Sequence, residues 1–282
     1  MLRKTTVLAA LGLALSLAAP AFAATSQREL KEAHWSFDSP LGKFDQEQLQ
    51  RGYKVYHDVC STCHSMNLVT FGDMGGPGGP FFSPKYKIPT ENPYVKSLAK
   101  DYMVSDIDTD TGDTIQRPAT TSDHFKAPFP NEYAARAANG GALPPDMSLL
   151  AKAREGGPAY IYSLVTGYED APAGLKVTPG KYYNPYFTGD LGSFWTGAAG
   201  KTPEGGFISM PPPLRPNAVT YDDGVAATVD QEAKDVAAFL AWAAEPHADQ
   251  RKQMGFAVMI WLVLFAGLLY ASYRRVWRNI AH

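Results

Sequence analysis

The sequence predicts a mainly α-helical domain, rich in long loops, exported from the cytoplasm and held at a membrane by one C-terminal helix. Three observations lead there: a leader-like N-terminus, a 20-residue apolar run without a charge near the C-terminus, and two capped amphipathic patterns, one early and one late. With 282 residues, 45% apolar and 19% charged, the chain can bury a core in one large domain or two. Its 25 glycines and 22 prolines enrich it in loops without reaching a disordered composition. A formal charge of −2 supplies no basic face of the kind nucleic acid requires.

The N-terminus carries Arg3 and Lys4, an apolar run from Thr5 to Ala19, and the small-residue site Ala21-Phe22-Ala23. This is the layout of a secretory signal cut after Ala23, so residues 1–23 are set aside from the fold. At the other end Met254 to Tyr273 would span about 30 Å as a helix, the hydrocarbon thickness of a bilayer. Arg274, Arg275 and Arg278 follow it directly, whereas Arg251 and Lys252 before it are diluted by Glu245 and Asp249. The excess of positive charge places the tail, 274–282, in the cytoplasm and the body, 24–253, outside. Setting aside those three arginines and the two basic leader residues leaves 21 basic against 28 acidic residues, about −7 for the exported part. Such a surplus suits a basic partner, and equally suits solubility.

Two helices frame the exported domain. Asp45 is a candidate N-cap with Gln48 three residues on, and Leu49, Tyr53 and Tyr56 share one face. Gly52 on that helix would allow another helix to come close. Late in the chain, Thr228-Val229-Asp230-Gln231 has the form of a capping box. An apolar stripe of Val229, Ala233, Val236, Phe239, Leu240 and Ala243 follows it, and Pro246 ends it. The middle, 65–205, reads as loops with short helices, and Met103 falls in an apparently helical stretch. No repeat is visible.

The early helix runs into Cys60-Ser61-Thr62-Cys63-His64, the C-x-x-C-H attachment pattern of a c-type haem. Two thiols at this spacing reach the two vinyl groups on one porphyrin edge, and the adjacent imidazole can turn onto the iron. A thioredoxin-like site would have another neighbourhood, usually without this histidine, and a zinc knuckle would need further close ligands, whereas the chain has only two cysteines. Among candidates for the opposite axial position, Met66 is too near His64 to cross the haem. Met74 lies in a glycine-rich loop that could fold anywhere, Met103 in the stretch read as helical, and Met147 after the turn Leu143-Pro144-Pro145-Asp146. Met210 has the best context, because Pro211, Pro212 and Pro213 stiffen the backbone after it.

These residues resemble one family, the cytochrome c1 subunits of quinol–cytochrome c oxidoreductases (bc1 complexes). The likeness runs through CSTCHSM at 60–66, AARAANGGALPPDMS at 134–148 and GGPAYIYSLVTGY at 156–168. It continues through YNPYF at 183–187, SMPPPL at 209–214 and KDVAAFLAWAAEP at 234–246. It covers almost all of the mature chain, and the Leu-Pro-Pro-Asp and Trp-Ala-Ala-Glu-Pro blocks are more specific than the haem motif. The resemblance implies a class I cytochrome c-like haem domain with long loop insertions, bearing one covalent haem c. It implies Cys60 and Cys63 as thioether anchors, with His64 and Met210 as the iron ligands. Arg154 and Tyr160 match propionate-binding positions, and Asn139 and Pro145 match residues lining the haem pocket. A buried propionate needs a cationic, bidentate partner, which gives Arg154 a physical reason. Residues 188–206 look like an insertion expected to pack over the haem face.

The function implied is electron transfer without bond making: one electron from a Rieske iron–sulfur protein to a soluble or membrane-bound, basic cytochrome c. The chain would act beside cytochrome b in a dimeric complex of a bacterial inner membrane, with its haem domain in the periplasm. Glu169, Asp170, Asp222 and Asp223 are the acidic docking candidates. Two rivals stand beside this reading. A membrane-anchored monohaem carrier of another oxidase or dehydrogenase would lack the two specific blocks. A haem peroxidase would need an open sixth site and a distal acid or base.

Overall fold

The structure, a computed structural model, describes residues 28–279; the expected leader and its cleavage site lie outside them. Helix α1, Gln46–Asp58, starts where expected: the Asp45 carboxylate accepts from the backbone N–H groups of Glu47 and Gln48. Leu49, Gly52, Tyr53, Val55 and Tyr56 form its buried face. Replacing Asp45 with alanine frees two N–H groups and removes a negative charge from the helix N-terminus. The variant should unfold about 1 kcal/mol more easily in a denaturant titration.

The partner of α1 is the late helix. Between the two lie shorter elements: α2, Pro93–Lys100; β1, Met103–Ile107, with β2, Thr114–Pro118; α3, Glu132–Ala138; α4, Leu150–Ala153; α5, Gly157–Thr166; and β3, Tyr182–Asn184, with β4, Gly206–Ile208. Helix α6, Val229–Ala244, then packs across α1, α4 and α5. Gly52 faces it so closely that an added Cβ would lie 2.0 Å from the Asp235 carbonyl oxygen and 2.6 Å from the Phe239 Cβ. Around this crossing Tyr53, Tyr56, Phe125 and Phe239 form an aromatic layer with ring centroids 5.8–6.3 Å apart. Arg51 fastens its rim, reaching buried Asp235 on α6 at 2.9 Å and Asp223 at 2.6 Å.

Half of the expected capping box forms. The Thr228 hydroxyl accepts from the Gln231 N–H, but the Gln231 side chain donates to Asp235 Oδ1 at 2.8 Å instead of returning to the cap. A buried carboxylate is the stronger acceptor, and it redirects the amide.

The middle of the chain holds two antiparallel hairpins that the sequence reading missed. Met103 opens strand β1 rather than lying in a helix. The alternation of exposed and half-buried residues in Met103–Ile107 is that of a strand, and β1 pairs with β2 from Met103↔Pro118 to Ile107↔Thr114. The second hairpin joins Tyr182↔Ile208 through Asn184↔Gly206. Residues 188–205 are thus an excursion between β3 and β4, organised over a small core of Leu175, Tyr183 and Leu191 with Trp195 and Phe207 against it.

Helix α7, Ala248–Trp277, is longer than the apolar run within it. Its first turn is part of the domain: Ala248 and Asp249 are buried, and the Asp249 carboxylate accepts from the Phe44 N–H. Lys252 donates to the carbonyls of Phe37, Ser39 and Gly42. From Met254 onward every described residue of the helix is exposed, and the helix is long and apolar enough to cross a membrane.

Candidate haem-binding site

The site is built on the end of α1. Val59 closes the helix, and Cys60–Thr62 tighten into a single 3-10 turn in which the Cys63 and His64 N–H groups both donate to the Cys60 carbonyl, at 3.1 and 2.9 Å. The two residues between the cysteines satisfy nearby carbonyls through their hydroxyls: Ser61 donates to His57 and Thr62 to Val59. Short polar residues at those positions therefore finish the helix by satisfying carbonyls of its last turn. Cys60 and Cys63 are free thiols, and burial pushes the Cys60 thiol up to about 12.

His64 is buried, and its Nδ1 lies 2.9 Å from the Pro145 carbonyl oxygen. A carbonyl only accepts, so Nδ1 carries the proton and the Nε2 lone pair is left free. Burial draws the imidazole pKa down, with the Pro145 hydrogen bond acting against it. The net result is a neutral ring in a fixed tautomer, the form a metal ion binds.

The loop carrying Pro145 is clamped in turn. Asp146 Oδ2 accepts from the Ser65 hydroxyl and the Asn67 N–H, both at 2.8 Å, while Oδ1 accepts from the Ser148 N–H at 2.9 Å. Met147 N–H donates to the Ser65 carbonyl, and the Ser148 hydroxyl accepts from the Leu68 N–H. These bonds hold the Asp146 carboxyl below the usual carboxylate range although burial opposes it. The segment after the cysteines is thus stitched to one about 80 residues later in the chain.

The methionines sort by environment. Met66, Met74 and Met147 are buried in the main core, and Met103 stands exposed on a strand. Met210 is half-buried, belongs to neither core cluster, and lies two residues past the end of β4. Its carbonyl accepts from the Tyr168 hydroxyl at 3.0 Å, and the neighbouring Ser209 hydroxyl accepts from Lys181 at 2.5 Å.

Arg154 and Tyr160 are brought together: burial raises the Tyr160 pKa, while the charge and hydrogen bond of Arg154 counter it. The guanidinium is otherwise exposed and donates to the Ala153 carbonyl. Asn139 caps the end of α3, where its amide donates to the Ala135 carbonyl ahead of two glycines with positive φ. Pro145 contributes its carbonyl, and its ring is exposed. Among the described residues no hydrogen bond joins the His64 group to the Met210 group. Asp146 and Tyr168 carry no sequence signal of their own for these contacts, although both lie within the family-like blocks 134–148 and 156–168. Of the four acidic docking candidates, Glu169 is paired with Arg28 and Asp223 with Arg51, whereas Asp170 and Asp222 are exposed.

The donor set suits a c-type haem on the chemistry of this structure: two free thiols beside a neutral imidazole whose other nitrogen is committed, and a thioether kept out of both cores. Comparison with known proteins points the same way. The model of the Cytochrome C1 family matches residues 35–280. "Cytochrome c1" of Rhodospirillum rubrum is 41% identical over 291 residues, covering 98% of this chain and 97% of that protein. "Cytochrome b/c1" of Bradyrhizobium diazoefficiens is 42% identical over 264 residues, 87% of this chain, which spans only 35% of that longer protein. A mitochondrial "Cytochrome c1, heme protein" of Saccharomyces cerevisiae is 41% identical over 227 residues, covering 80% of this chain and 65% of that protein.

Proposed function

The chain belongs to the cytochrome c1 family, and on that premise we propose that it is the membrane-anchored haem c subunit of a quinol–cytochrome c oxidoreductase. It takes single electrons from a Rieske iron–sulfur protein and passes them to a cytochrome c, without making or breaking a bond in a substrate. The observation that carries this reading is the imidazole of His64, immediately after the two thiols. It is pinned through Nδ1 to Pro145 and free at Nε2.

The haem, when bound, supplies a one-electron centre. Cys60 and Cys63 would hold it as thioethers, consuming both thiols, and His64 and Met210 would ligate its iron. A histidine–methionine pair favours the reduced state and raises the potential. Arg154, with Tyr160 beside it, holds the propionates, and Asn139 and Pro145 line the pocket. The exported domain faces the periplasm of a bacterial inner membrane, α7 crosses that membrane, and the basic end remains in the cytoplasm. Cytochrome b and the Rieske protein are the partners within a dimeric complex. The acidic surplus, with Asp170 and Asp222 exposed, suits a basic cytochrome c and predicts an electron-transfer rate that falls as salt rises.

The deciding experiment is extraction of the full chain from its membrane in mild detergent. Co-purification with a dihaem cytochrome b and a Rieske protein is the expected result. Isolation with the subunits of another oxidase or dehydrogenase would overturn the assignment. In the same complex, Met210→Leu should lower the haem potential by on the order of 0.1 V or more, within the ~0.8 V over which axial ligands act. An unchanged potential and spectrum would remove Met210 from the iron.

A further inference from the structure

The segment that presents Met210 has little means of fixing itself. Pro211, Pro212 and Pro213 have no N–H groups, so this stretch cannot use its own backbone donors to form a turn. It is anchored by buried side chains on both sides, Ile208 at the end of β4 and Leu214 after the prolines. Between those anchors the Met210 carbonyl receives a donor from elsewhere in the fold, the Tyr168 hydroxyl at 3.0 Å.

Tyr168 is itself well placed. It follows the end of α5 at Gly167, where an added Cβ would lie 2.3 Å from the Tyr186 ring and 2.4 Å from the Ser163 carbonyl oxygen. The chain therefore passes Tyr186 too closely for any larger residue. Buried Asn184 ties that same corner to β3, donating to the Leu164 carbonyl at 2.8 Å while its Oδ1 accepts from the Tyr186 N–H. The end of α5, strand β3, its partner β4 and the Met210 segment are thus one connected unit. The Met210 carbonyl can only accept, so the Tyr168 hydroxyl is the donor in this hydrogen bond.

We propose that Tyr168 is a positioning residue for the Met210 thioether: its hydroxyl holds the Met210 backbone from the α5 side, and this fixes where the side chain is presented. The inference rests on the reading of Met210 as an axial ligand. Its test separates the two, using the full chain in its complex with Tyr168→Phe, Tyr182→Phe and Met210→Leu side by side. Tyr168→Phe removes one oxygen and keeps the ring. Measured per haem, so that a lower yield does not matter, the reduced Tyr168→Phe protein should bind carbon monoxide about tenfold more readily than wild type. This is the factor that one hydrogen bond commands. Its potential should fall towards that of Met210→Leu, while Tyr182→Phe, which removes a neighbouring hydroxyl, should match wild type. If Met210→Leu binds carbon monoxide and Tyr168→Phe does not, Tyr168 is not a positioning residue and the ligand reading stands. An equal response of Tyr168→Phe and Tyr182→Phe would also overturn the specific role of Tyr168. If Met210→Leu itself changes neither measurement, the ligand reading fails and the inference falls with it.

Discussion

Alanine at position 52 should cost the domain roughly 1.5–4.5 kcal/mol and leave little haem-bearing protein in the membrane. The single added carbon would sit 2.0 Å from the Asp235 carbonyl oxygen and 2.6 Å from Phe239 Cβ. Neither is the movable tip of a long side chain: one is backbone within α6 and the other is the root of a buried ring. Relief requires α1 and α6 to separate, and separation loosens the aromatic layer that Phe239 shares with Tyr53 and Tyr56. Overpacking a core costs roughly 1–3 kcal/mol, and a disturbed aromatic pair adds about 0.5–1.5 kcal/mol. Because α1 leads directly into the cysteines, the damage reaches the haem site as well as the core. The measurement is the denaturant midpoint of the purified protein together with covalent haem per milligram of membrane. Gly255→Ala, on the exposed part of α7 with open space at its Cβ, is the control and should be silent. A Gly52→Ala protein with a wild-type midpoint would mean that the two helices do not cross at this glycine.

Removal of the Asp146 carboxylate should have the next largest effect. Three donors converge on its two oxygens, all within 2.8–2.9 Å, and one of them belongs to the residue immediately after His64. A hydrogen bond to a charged group is worth about 1.5–3 kcal/mol, and shared partners make the sum smaller than the parts. Asp146→Ala should therefore destabilise the protein by roughly 2–4 kcal/mol. The loss is local in origin: with the loop unpinned, the Pro145 carbonyl no longer stays opposite His64 Nδ1, and the imidazole regains rotational freedom. Asp146→Asn, which keeps the shape and one acceptor oxygen, should fall between alanine and wild type in stability and in the sharpness of the redox transition. If Asp146→Ala retained a wild-type midpoint and potential, the clamp would have no bearing on the histidine.

What could be read from the sequence is what the chain encodes within one or two helical turns. The N-caps at Asp45 and Thr228, the buried stripes of α1 and α6, the close-approach glycine and the haem motif all rest on short-range spacing, and the structure forms each of these helical features. The hairpins were hidden for a different reason. Met103–Ile107 sets its two polar residues, Ser105 and Asp106, side by side and is only partly buried, so its apolar residues follow no two-residue period that would mark a strand. The two clamps were harder still. Asp146 works across about 80 residues and Tyr168 across 42, each through a side chain bonded to distant backbone. No periodicity marks such a bond. Redirection of Gln231 to Asp235 is a third instance, in which a buried charge outcompeted a local pattern.

The first turn of α7 has a mechanical consequence. Only residues 245–247 separate α6 from α7, Asp249 is buried in the domain, and Lys252 grips three carbonyls of the chain's early segment. A head on a slack leash would sweep out a broad volume above the bilayer, and its redox centre would stand at no particular height. Here the joint is splinted, so tilting the head means tilting the membrane helix with it. The haem site becomes a fixed station at a set altitude above the bilayer, and its position follows that of the membrane helix.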